Sequence, residues 1–174
     1  MGVLCDWQIR SLCNGHRMVY PFEEELLNPA SLDVRLGEYL MIEQPCSMDL
    51  QLVSIAGHTA EDPYWLRPGE FVLAETKETF YLPDHVCGQF ALKSSRAREG
   101  YSHMLAGWCD PGWHGSKLTL ELQNARKMHP LPLYPDLKIG QIIFFKMSAT
   151  PLKSYAEVGH YNNDQKVSGS KVNL

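Results

Sequence analysis

The densest group of side chains able to bind an anion lies in one short stretch, Lys93-Ser94-Ser95-Arg96-Ala97-Arg98, which we call the basic segment. Phosphate is held best by several charge-assisted donors at once, because an arginine offers a planar fork while hydroxyls and backbone amides fill the remaining positions. The basic segment is therefore a candidate phosphate-binding turn. Taken alone, its composition is more typical of a solvated basic turn.

Two carboxylates follow the basic segment, one before a turn and one on a strand. Asp110 begins Asp110-Pro111-Gly112-Trp113-His114-Gly115, whose glycines allow a ligand or another backbone to approach closely. Glu121 lies in Leu118-Thr119-Leu120-Glu121-Leu122-Gln123, where alternation places three leucines on one face and the polar residues on the other. A hairpin capped by Asp110 and a solvent-facing Glu121 are the simpler interpretations.

Several familiar classes of catalytic site lack their motifs in this sequence. Zinc deaminases use His-x-Glu and Pro-Cys-x-x-Cys elements, and neither occurs. A His-Glu-x-x-His, a Gly-x-x-x-x-Gly-Lys loop and a Gly-x-Gly-x-x-Gly after a strand are also missing. No Gly-x-Ser-x-Gly elbow supports a hydrolase-like nucleophile.

Composition narrows the class of protein further. Sixteen Lys and Arg against twenty Asp and Glu give a net charge of -4, which argues against nucleic acid or an anionic membrane as the main partner. Five cysteines, an odd number without a Cys-x-x-Cys pair, fit reduced thiols better than a disulfide framework. With no leader-like stretch and no apolar run of about 20 residues, we expect a cytoplasmic protein.

These residues must be positioned by a mostly β architecture. Asp6 and Gly15 predict the limits of a short first helix. Runs rich in branched and aromatic residues predict strands at Val34–Ile42, Phe71–Lys77, Val86–Leu92, Leu118–Gln123 and Gln141–Met147. Turns are expected at Pro68-Gly69, Pro111-Gly112 and Pro135-Asp136. Glu75 and Glu78 have no evident partners and are expected on a solvated face.

Taken in order, these segments resemble the deoxycytidine triphosphate (dCTP) deaminase family, which shares the fold of trimeric deoxyuridine triphosphatases (dUTPases). The resemblance runs from Cys5-Asp6 to about Gln165. It rests most on Ser94-Ser95-x-Ala97-Arg98, Ala106-Gly107-Trp108-Cys109-Asp110-Pro111-Gly112-Trp113-x-Gly115 and Leu118-Thr119-Leu120-Glu121-Leu122. Supporting stretches are Asp33-Val34-Arg35-Leu36-Gly37, Leu66-x-Pro68-Gly69-Glu70 and Lys138-Ile139-Gly140-Gln141.

The resemblance implies a mainly β fold, a distorted β-barrel or jelly roll of the dUTPase-like type, with one domain over residues 1–158. It also implies a homotrimer whose active sites lie between subunits. Residues 159–174 are expected to be a flexible tail or a lid that closes over the nucleotide. Magnesium would arrive on the nucleotide phosphates, zinc would play no part, and deoxythymidine triphosphate (dTTP) is a candidate feedback inhibitor.

By the same resemblance, Glu121 is the general base for hydrolytic deamination of dCTP to dUTP and ammonia. Ser94 and Arg98 would hold phosphate and orient the site, and in family members that also cleave dUTP, Asp110 would position the attacking water molecule. The expected substrate-binding residues are Lys93, Ser94, Ser95, Arg98, Leu105, Ala106, Asp110, Tyr155, Tyr161, Gln165 and Lys166.

The sequence departs from the family pattern at a few positions. Lys93 stands where an Arg is usual, Leu105 where a Thr is usual, His160 where a Lys is usual, and Asp136 where a Gly is usual. The spacing from Arg98 to Asp110 is one residue shorter than usual, and that from Gly115 to Glu121 is one longer. These departures keep open a nucleotide-binding sensor without catalysis. A second alternative is a bifunctional enzyme that also cleaves dUTP to dUMP and pyrophosphate, because Ala106-Gly107-Trp108 is more similar to that type.

Overall fold

The computed structural model describes residues 2–171. Its thirteen strands and three α-helices within that range are numbered here in chain order. The strands are β1 Gly2–Val3, β2 Val19–Tyr20, β3 Leu27–Asn28, β4 Ser31–Gln44, β5 Ser47–Ser54, β6 Tyr64–Leu66, β7 Phe71–Tyr81, β8 Val86–Leu92, β9 Tyr101–His103, β10 Trp108–Cys109, β11 His114–Asn124, β12 Leu131–Leu133 and β13 Lys138–Lys146. The helices are α1 Asp6–His16, α2 Ser94–Glu99 and α3 Tyr155–Val158.

An eleven-stranded sheet carries most of the described chain, with its main path in the order β10-β8-β13-β4-β7-β11-β9. Strand β1 pairs with β13, β2 with β7, and both β3 and β5 with β4, while β12 and β6 form a separate pair. Strands hold 45% of the residues and helices 14%, and the large sheet curls into a half-barrel. The predicted mainly β fold is confirmed.

All five strands expected from the sequence are present, although most are longer. Only β8 has the predicted bounds; residues 34–42, 71–77, 118–123 and 141–147 correspond to the longer or shifted strands β4, β7, β11 and β13. Asp136 has a φ of 68°, in agreement with the predicted turn at Pro135-Asp136. Sequence patterning failed to indicate the exposed strand β5. It also missed the very short strands, because these have too few residues to show an alternation.

Helix α1 forms where it was predicted but has different caps. Cys5 is the N-cap in place of Asp6, and the Gln8 side chain accepts the Cys5 backbone amide at 3.1 Å. Gly15 lies inside the helix, which ends at Arg17 with a left-handed φ of 53°. The left-handed cap that the sequence suggested for a glycine is therefore taken by an arginine two residues later.

The core lies against the inner face of the long strands, and β11 shows why. Leu118, Leu120 and Leu122 are buried, whereas Thr119 and Glu121 between them are only partly covered. The predicted alternation is thus confirmed. Each fully buried leucine stabilises the fold by roughly 1.5–3 kcal/mol, which fixes the register of β11 and therefore the side on which Glu121 emerges.

The expectation that Glu75 and Glu78 lie on a solvated face is wrong, because both side chains are fully buried in β7. Glu78 accepts hydrogen bonds from the backbone amide and from Nε of Arg35, at 2.9 and 2.8 Å. Burial raises the pKa of the Glu78 carboxyl, and the contacts with Arg35 oppose that rise. Buried charge of this kind persists only where it is paired.

Among the described residues, no helix has both the length and the apolar character needed to cross a membrane.

Candidate functional site

Strand β11 presents Glu121 to a cavity of about 590 Å³, a volume in the range usual for small-molecule sites. The cavity lies between β7, β11, the loop that contains Ala106, and the C-terminal segment, which we define as residues 159–171. Its lining residues are Phe71, Leu73, Ala106, Trp108, Cys109, Asp110, Trp113, Lys117, Leu118, Thr119, Glu121, Tyr155, Tyr161, Asp164, Ser168, Gly169 and Ser170.

His103, at the end of β9, faces the Glu121 carboxylate. Its Nε2 lies 3.2 Å from Oε2 of Glu121, and the His103 side chain is only 4% exposed. The pair is close enough for an ion pair but not aligned for a hydrogen bond, so both buried atoms have no hydrogen-bond partner among residues 2–171. The imidazole ring also contacts the Phe90 ring, with centroids 4.6 Å apart.

The other nitrogen of the same ring holds the loop that follows. Nδ1 of His103 accepts the backbone N–H of Leu105 at 3.2 Å, which assigns the hydrogen of a neutral ring to Nε2, on the side of Glu121. Leu105 has a φ of 64°, a conformation that costs a non-glycine residue about 1–2 kcal/mol. Its side chain is 92% exposed, and the cavity is lined instead by its neighbour Ala106.

Asp110 lies at the edge of the cavity, ahead of the turn that leads into β11. The indole Nε1 of Trp108 donates to Oδ1 of Asp110 at 3.1 Å and so orients the carboxylate. The turn requires its glycine, because Gly112 has a φ of 84° and a Cβ there would lie 2.6 Å from Oδ1 of Asp84. The one-residue excess between Gly115 and Glu121 coincides with a β-bulge between His114 and Ser116.

The C-terminal segment lies along β11 of its own chain. Nε1 of Trp113 donates to the Tyr161 carbonyl at 2.8 Å, and the backbone amide of Lys117 donates to the Asp164 carbonyl at 2.8 Å. Tyr161, and Tyr155 from α3, line the cavity as candidates for nucleotide contact. Gln165 and Lys166 do not: Gln165 donates to the Gly115 carbonyl, and Lys166 lies 4.1 Å above the Tyr39 ring. Residues 172–174 of the expected lid lie outside the described residues.

The basic segment forms helix α2 after Lys93, not the turn that its sequence suggested. Ser94, Ser95 and Arg98 are exposed, and their side chains have no hydrogen-bond or ion-pair partner within the described chain. Lys93 is differently placed, because its Nζ forms an ion pair with the buried Asp33 at 2.5 Å. Arg96 is likewise engaged, by Glu99 at 2.5 Å.

The structure therefore brings together only part of the predicted site. Glu121, Asp110, Ala106, Tyr155 and Tyr161 share the cavity. None of the predicted residues of the basic segment lines that cavity, so within one chain Glu121 lies apart from the exposed side chains of Ser94, Ser95 and Arg98.

The charges of the cavity lining restrict what it can bind unaided. Its ionisable lining residues include three carboxylates, Asp110, Glu121 and Asp164, against a single cation, Lys117. Lys117 is already paired with Glu75 at 2.6 Å. A triphosphate would need additional positive charge here, which fits an ion that arrives on the phosphates. Within residues 2–171, no group of three His, Cys, Asp or Glu side chains is arranged to hold a metal by itself.

Cys109 also lines the cavity, but its environment does not favour nucleophilic chemistry. Burial raises the pKa of its thiol to about 12, so the thiol stays protonated near neutral pH. Since the thiolate is the reactive form of cysteine, Cys109 is not suited to act as a nucleophile here.

Sequence reasoning missed His103, which contacts Glu121, and several polar residues that line the cavity, among them Lys117 and Asp164. The only signal for His103 was its position between the basic segment and Asp110, and a single histidine there has no diagnostic spacing. Lys117 lies in the lengthened stretch between Gly115 and Glu121, which the sequence indicated only as a shifted turn.

Comparison with known proteins places the sequence in a family. Residues 3–147 match the family model for dCTP deaminase-like proteins. A protein from Acidothermus cellulolyticus named "dCTP deaminase, dUMP-forming" is 38% identical over 84% of this chain and 81% of its own length. A protein of the same name from Corynebacterium kroppenstedtii is 36% identical over 98% of this chain and 97% of its own.

A solved structure, the 2'-deoxycytidine 5'-triphosphate deaminase of Agrobacterium tumefaciens, superposes with a TM-score of 0.67. At 20% identity, over 82% of this chain and 48% of the other, the likeness concerns the fold. The predicted dUTPase-like fold class is thereby confirmed.

One expectation needs correction. The main functional interpretation of the sequence ended at dUTP, whereas the relatives are named for the formation of dUMP. Ala106-Gly107-Trp108 is the motif that favours the bifunctional alternative, and the names of the relatives support that alternative better. From the extent of the family match and the identity over nearly full length, this chain belongs to the dCTP deaminase-like family.

Proposed function

We propose that this chain is an enzyme that deaminates dCTP and cleaves the resulting dUTP to dUMP and pyrophosphate. The observation that carries the proposal is Glu121, whose Oε2 is buried beside Nε2 of His103 in the wall of a nucleotide-sized cavity. The family membership and the names of the relatives supply the substrate and the product.

In the first step, Glu121 takes a proton from a water molecule as that water attacks C4 of the cytosine ring. A carbon–oxygen bond forms, the proton passes to the exocyclic amino group, and the carbon–nitrogen bond breaks to release ammonia. The stoichiometry is dCTP plus water to dUTP plus ammonia. A positioned general base of this kind contributes typically 10²–10⁴-fold to a rate. The His103 ring lies beside the carboxylate, with its Nε2 3.2 Å from Oε2 of Glu121, and limits the positions that the carboxylate can take.

In the second step, Asp110 positions a water molecule for attack at the α-phosphorus of dUTP. The bond from that phosphorus to the bridging oxygen breaks, and pyrophosphate leaves. Asp110 suits this role because the Trp108 indole fixes one carboxylate oxygen at 3.1 Å while the side chain stays exposed at the edge of the cavity. The water then lies between the carboxylate and the phosphate chain.

The phosphate donors come from a second copy of the chain in this proposal. Ser94, Ser95 and Arg98 are exposed on α2 and do not line the cavity of their own chain, while the cavity is rich in carboxylates. Placing α2 of one subunit beside the cavity of the next supplies the missing positive charge. This arrangement supports a closed homotrimer with three shared sites.

Magnesium fits the same charge argument. Carried on the nucleotide phosphates, Mg²⁺ would neutralise negative charge that the cavity lining cannot. Asp110 and Asp164 are the carboxylates at hand to contact its water shell. Tyr155 and Tyr161 cover the nucleotide from the side of the C-terminal segment.

The test is incubation with dCTP or with dUTP, plus magnesium, followed by separation of nucleotides and assays for ammonia and pyrophosphate. We expect equimolar ammonia, dUMP and pyrophosphate from dCTP, and dUMP from dUTP. Binding without turnover of either nucleotide would refute the enzyme in favour of a sensor, and dUTP as the final product would refute the second step. Adding dTTP to the same assay tests feedback inhibition.

A further inference from the structure

A buried ion pair beside the cavity connects three parts of the chain. Glu75 of β7 has no exposed side-chain surface, and its Oε1 accepts from Nζ of Lys117 at 2.6 Å. Its other oxygen, Oε2, accepts the backbone N–H of Val167 in the C-terminal segment at 2.6 Å. Both carboxylate oxygens are thus used, one by the wall of the cavity and one by its cover.

The local structure is built to place this carboxylate. Strand β7 bulges here. Lys117 of β11 pairs with Thr79 of β7, but Thr119, only two residues further along β11, pairs with Glu75, which is four residues away from Thr79 in β7. The hydroxyl of Thr76 receives the backbone amide of Leu118 at 2.9 Å inside the bulge. On the neighbouring strand β4, a Cβ at Gly37 would lie 2.6 Å from both Cγ and Oε1 of Glu75. Only a glycine leaves room for the side chain.

The contact of the Val167 amide with Glu75 anchors the C-terminal segment beyond the residues that lie along the first part of β11. Val167 is 6% exposed, in contrast to the exposed Gln165 and Lys166 that precede it. The other hydrogen bonds described here between the segment and β11 join neutral groups, for example the amide of Lys117 with the carbonyl of Asp164 and the amide of Ser168 with the hydroxyl of Thr119. A charge-assisted bond in a buried position is stronger than these.

We propose that Glu75 is a positioning residue: together with Lys117 it ties the C-terminal segment across the cavity and thereby holds Tyr161 where a nucleotide is covered. This inference rests on the proposed function for the identity of the nucleotide, but the tie itself does not. Loss of the tie should weaken nucleotide binding and leave the chemical step at Glu121 largely intact.

The experiment compares Glu75→Gln with wild type by hydrogen exchange of peptides covering residues 160–171 and by dCTP kinetics. Glutamine has the shape of glutamate and still offers an oxygen to Val167, but it lacks the charge that attracts Lys117. We expect exchange in this segment to speed at least tenfold, KM for dCTP to rise about tenfold, and kcat to stay within about threefold. Lys77→Met is the matched control. Lys77 lies on β7, as Glu75 does, but its ion pair at 2.5 Å is with Asp136 and not with the C-terminal segment.

Two further variants make the result specific. Gly37→Ala should reproduce the faster exchange, since the added methyl group displaces Glu75. Lys117→Met alone leaves the buried Glu75 carboxylate without its cation. The double variant Glu75→Gln/Lys117→Met should therefore have an exchange rate in residues 160–171 closer to that of wild type than Lys117→Met has.

Exchange within twofold of wild type in Glu75→Gln overturns the proposal, as does an equal effect in Lys77→Met. A Glu75→Gln chain that fails to fold also overturns it, because Glu75 would then support the barrel and not the segment. If wild type itself turns over no nucleotide, the proposed function fails while the exchange measurements still decide whether the tie exists.

Discussion

Two substitutions at His103 separate the two contacts of its ring. Asparagine places an oxygen near the position of Nδ1 and can still accept the Leu105 amide, but it reaches no further. Glutamine places a donor near the position of Nε2 and can still face Glu121. We therefore expect His103→Asn to lower kcat, because it loses the contact with Glu121. We expect His103→Gln to raise KM, because it no longer holds the loop that contains Ala106.

The size of the first effect follows from the geometry. Nε2 of His103 and Oε2 of Glu121 lie 3.2 Å apart, both buried. Hydrogen bonds between catalytic side chains are often poorly aligned in the free enzyme and align only when the substrate binds. A hydrogen bond to a charged group contributes about 1.5–3 kcal/mol, and each 1.36 kcal/mol is a factor of ten. Losing it should lower kcat by about 10- to 150-fold.

The assay is steady-state release of ammonia from dCTP, with thermal unfolding measured on the same samples to show that both variants are folded. Glu121→Gln serves as the reference for complete loss of the base. A kcat for His103→Asn within twofold of wild type would refute the assignment of His103 as the partner of Glu121, whatever happens to KM.

Three further outcomes test other parts of the site. Arg98→Ala and Glu121→Gln should each be inactive, but an equal mixture reassembled from dissociated subunits should recover about a quarter of wild-type activity. In about that fraction of shared sites, an intact Arg98 from one variant meets an intact Glu121 from the other. No recovery would place both residues of a site in one subunit. Gly112→Ala should lower stability by about 1–3 kcal/mol in chemical denaturation, owing to its positive φ and the contact with Asp84; an unchanged midpoint would contradict the turn geometry. In thiol titration of the native protein, the exposed Cys46 should react first and the buried Cys109 only on unfolding, since burial raises its pKa to about 12; fast labelling of Cys109 would contradict its burial.

The features predictable from sequence were those with a local signal. Alternation along residues 118–123 gave both the strand and the side on which Glu121 emerges, because a buried leucine face fixes that register. The Pro135-Asp136 turn was equally local. The ordered motifs indicated the family, which the comparisons then confirmed.

The features missed depend on partners far apart in the chain. Glu75 and Glu78 look like surface charges in sequence because their cations, Lys117 and Arg35, come from other strands. The contact of His103 with Glu121 arises only from the pairing of β9 with β11. For the end product, the sequence carries one short signal, Ala106-Gly107-Trp108, which favours the bifunctional type, and the relatives are named for forming dUMP.

Under the proposed arrangement, dilution should affect helix α2 but not the C-terminal segment. The segment lies over its own chain's β11, so its contacts with Trp113 and Lys117 form at a fixed effective concentration, whatever the amount of protein. The exposed donors of α2 reach a cavity only in an assembled oligomer under the proposed arrangement. A diluted chain would thus keep its cover and lose its phosphate contacts, and specific activity would fall with protein concentration while exchange in residues 160–171 stayed constant.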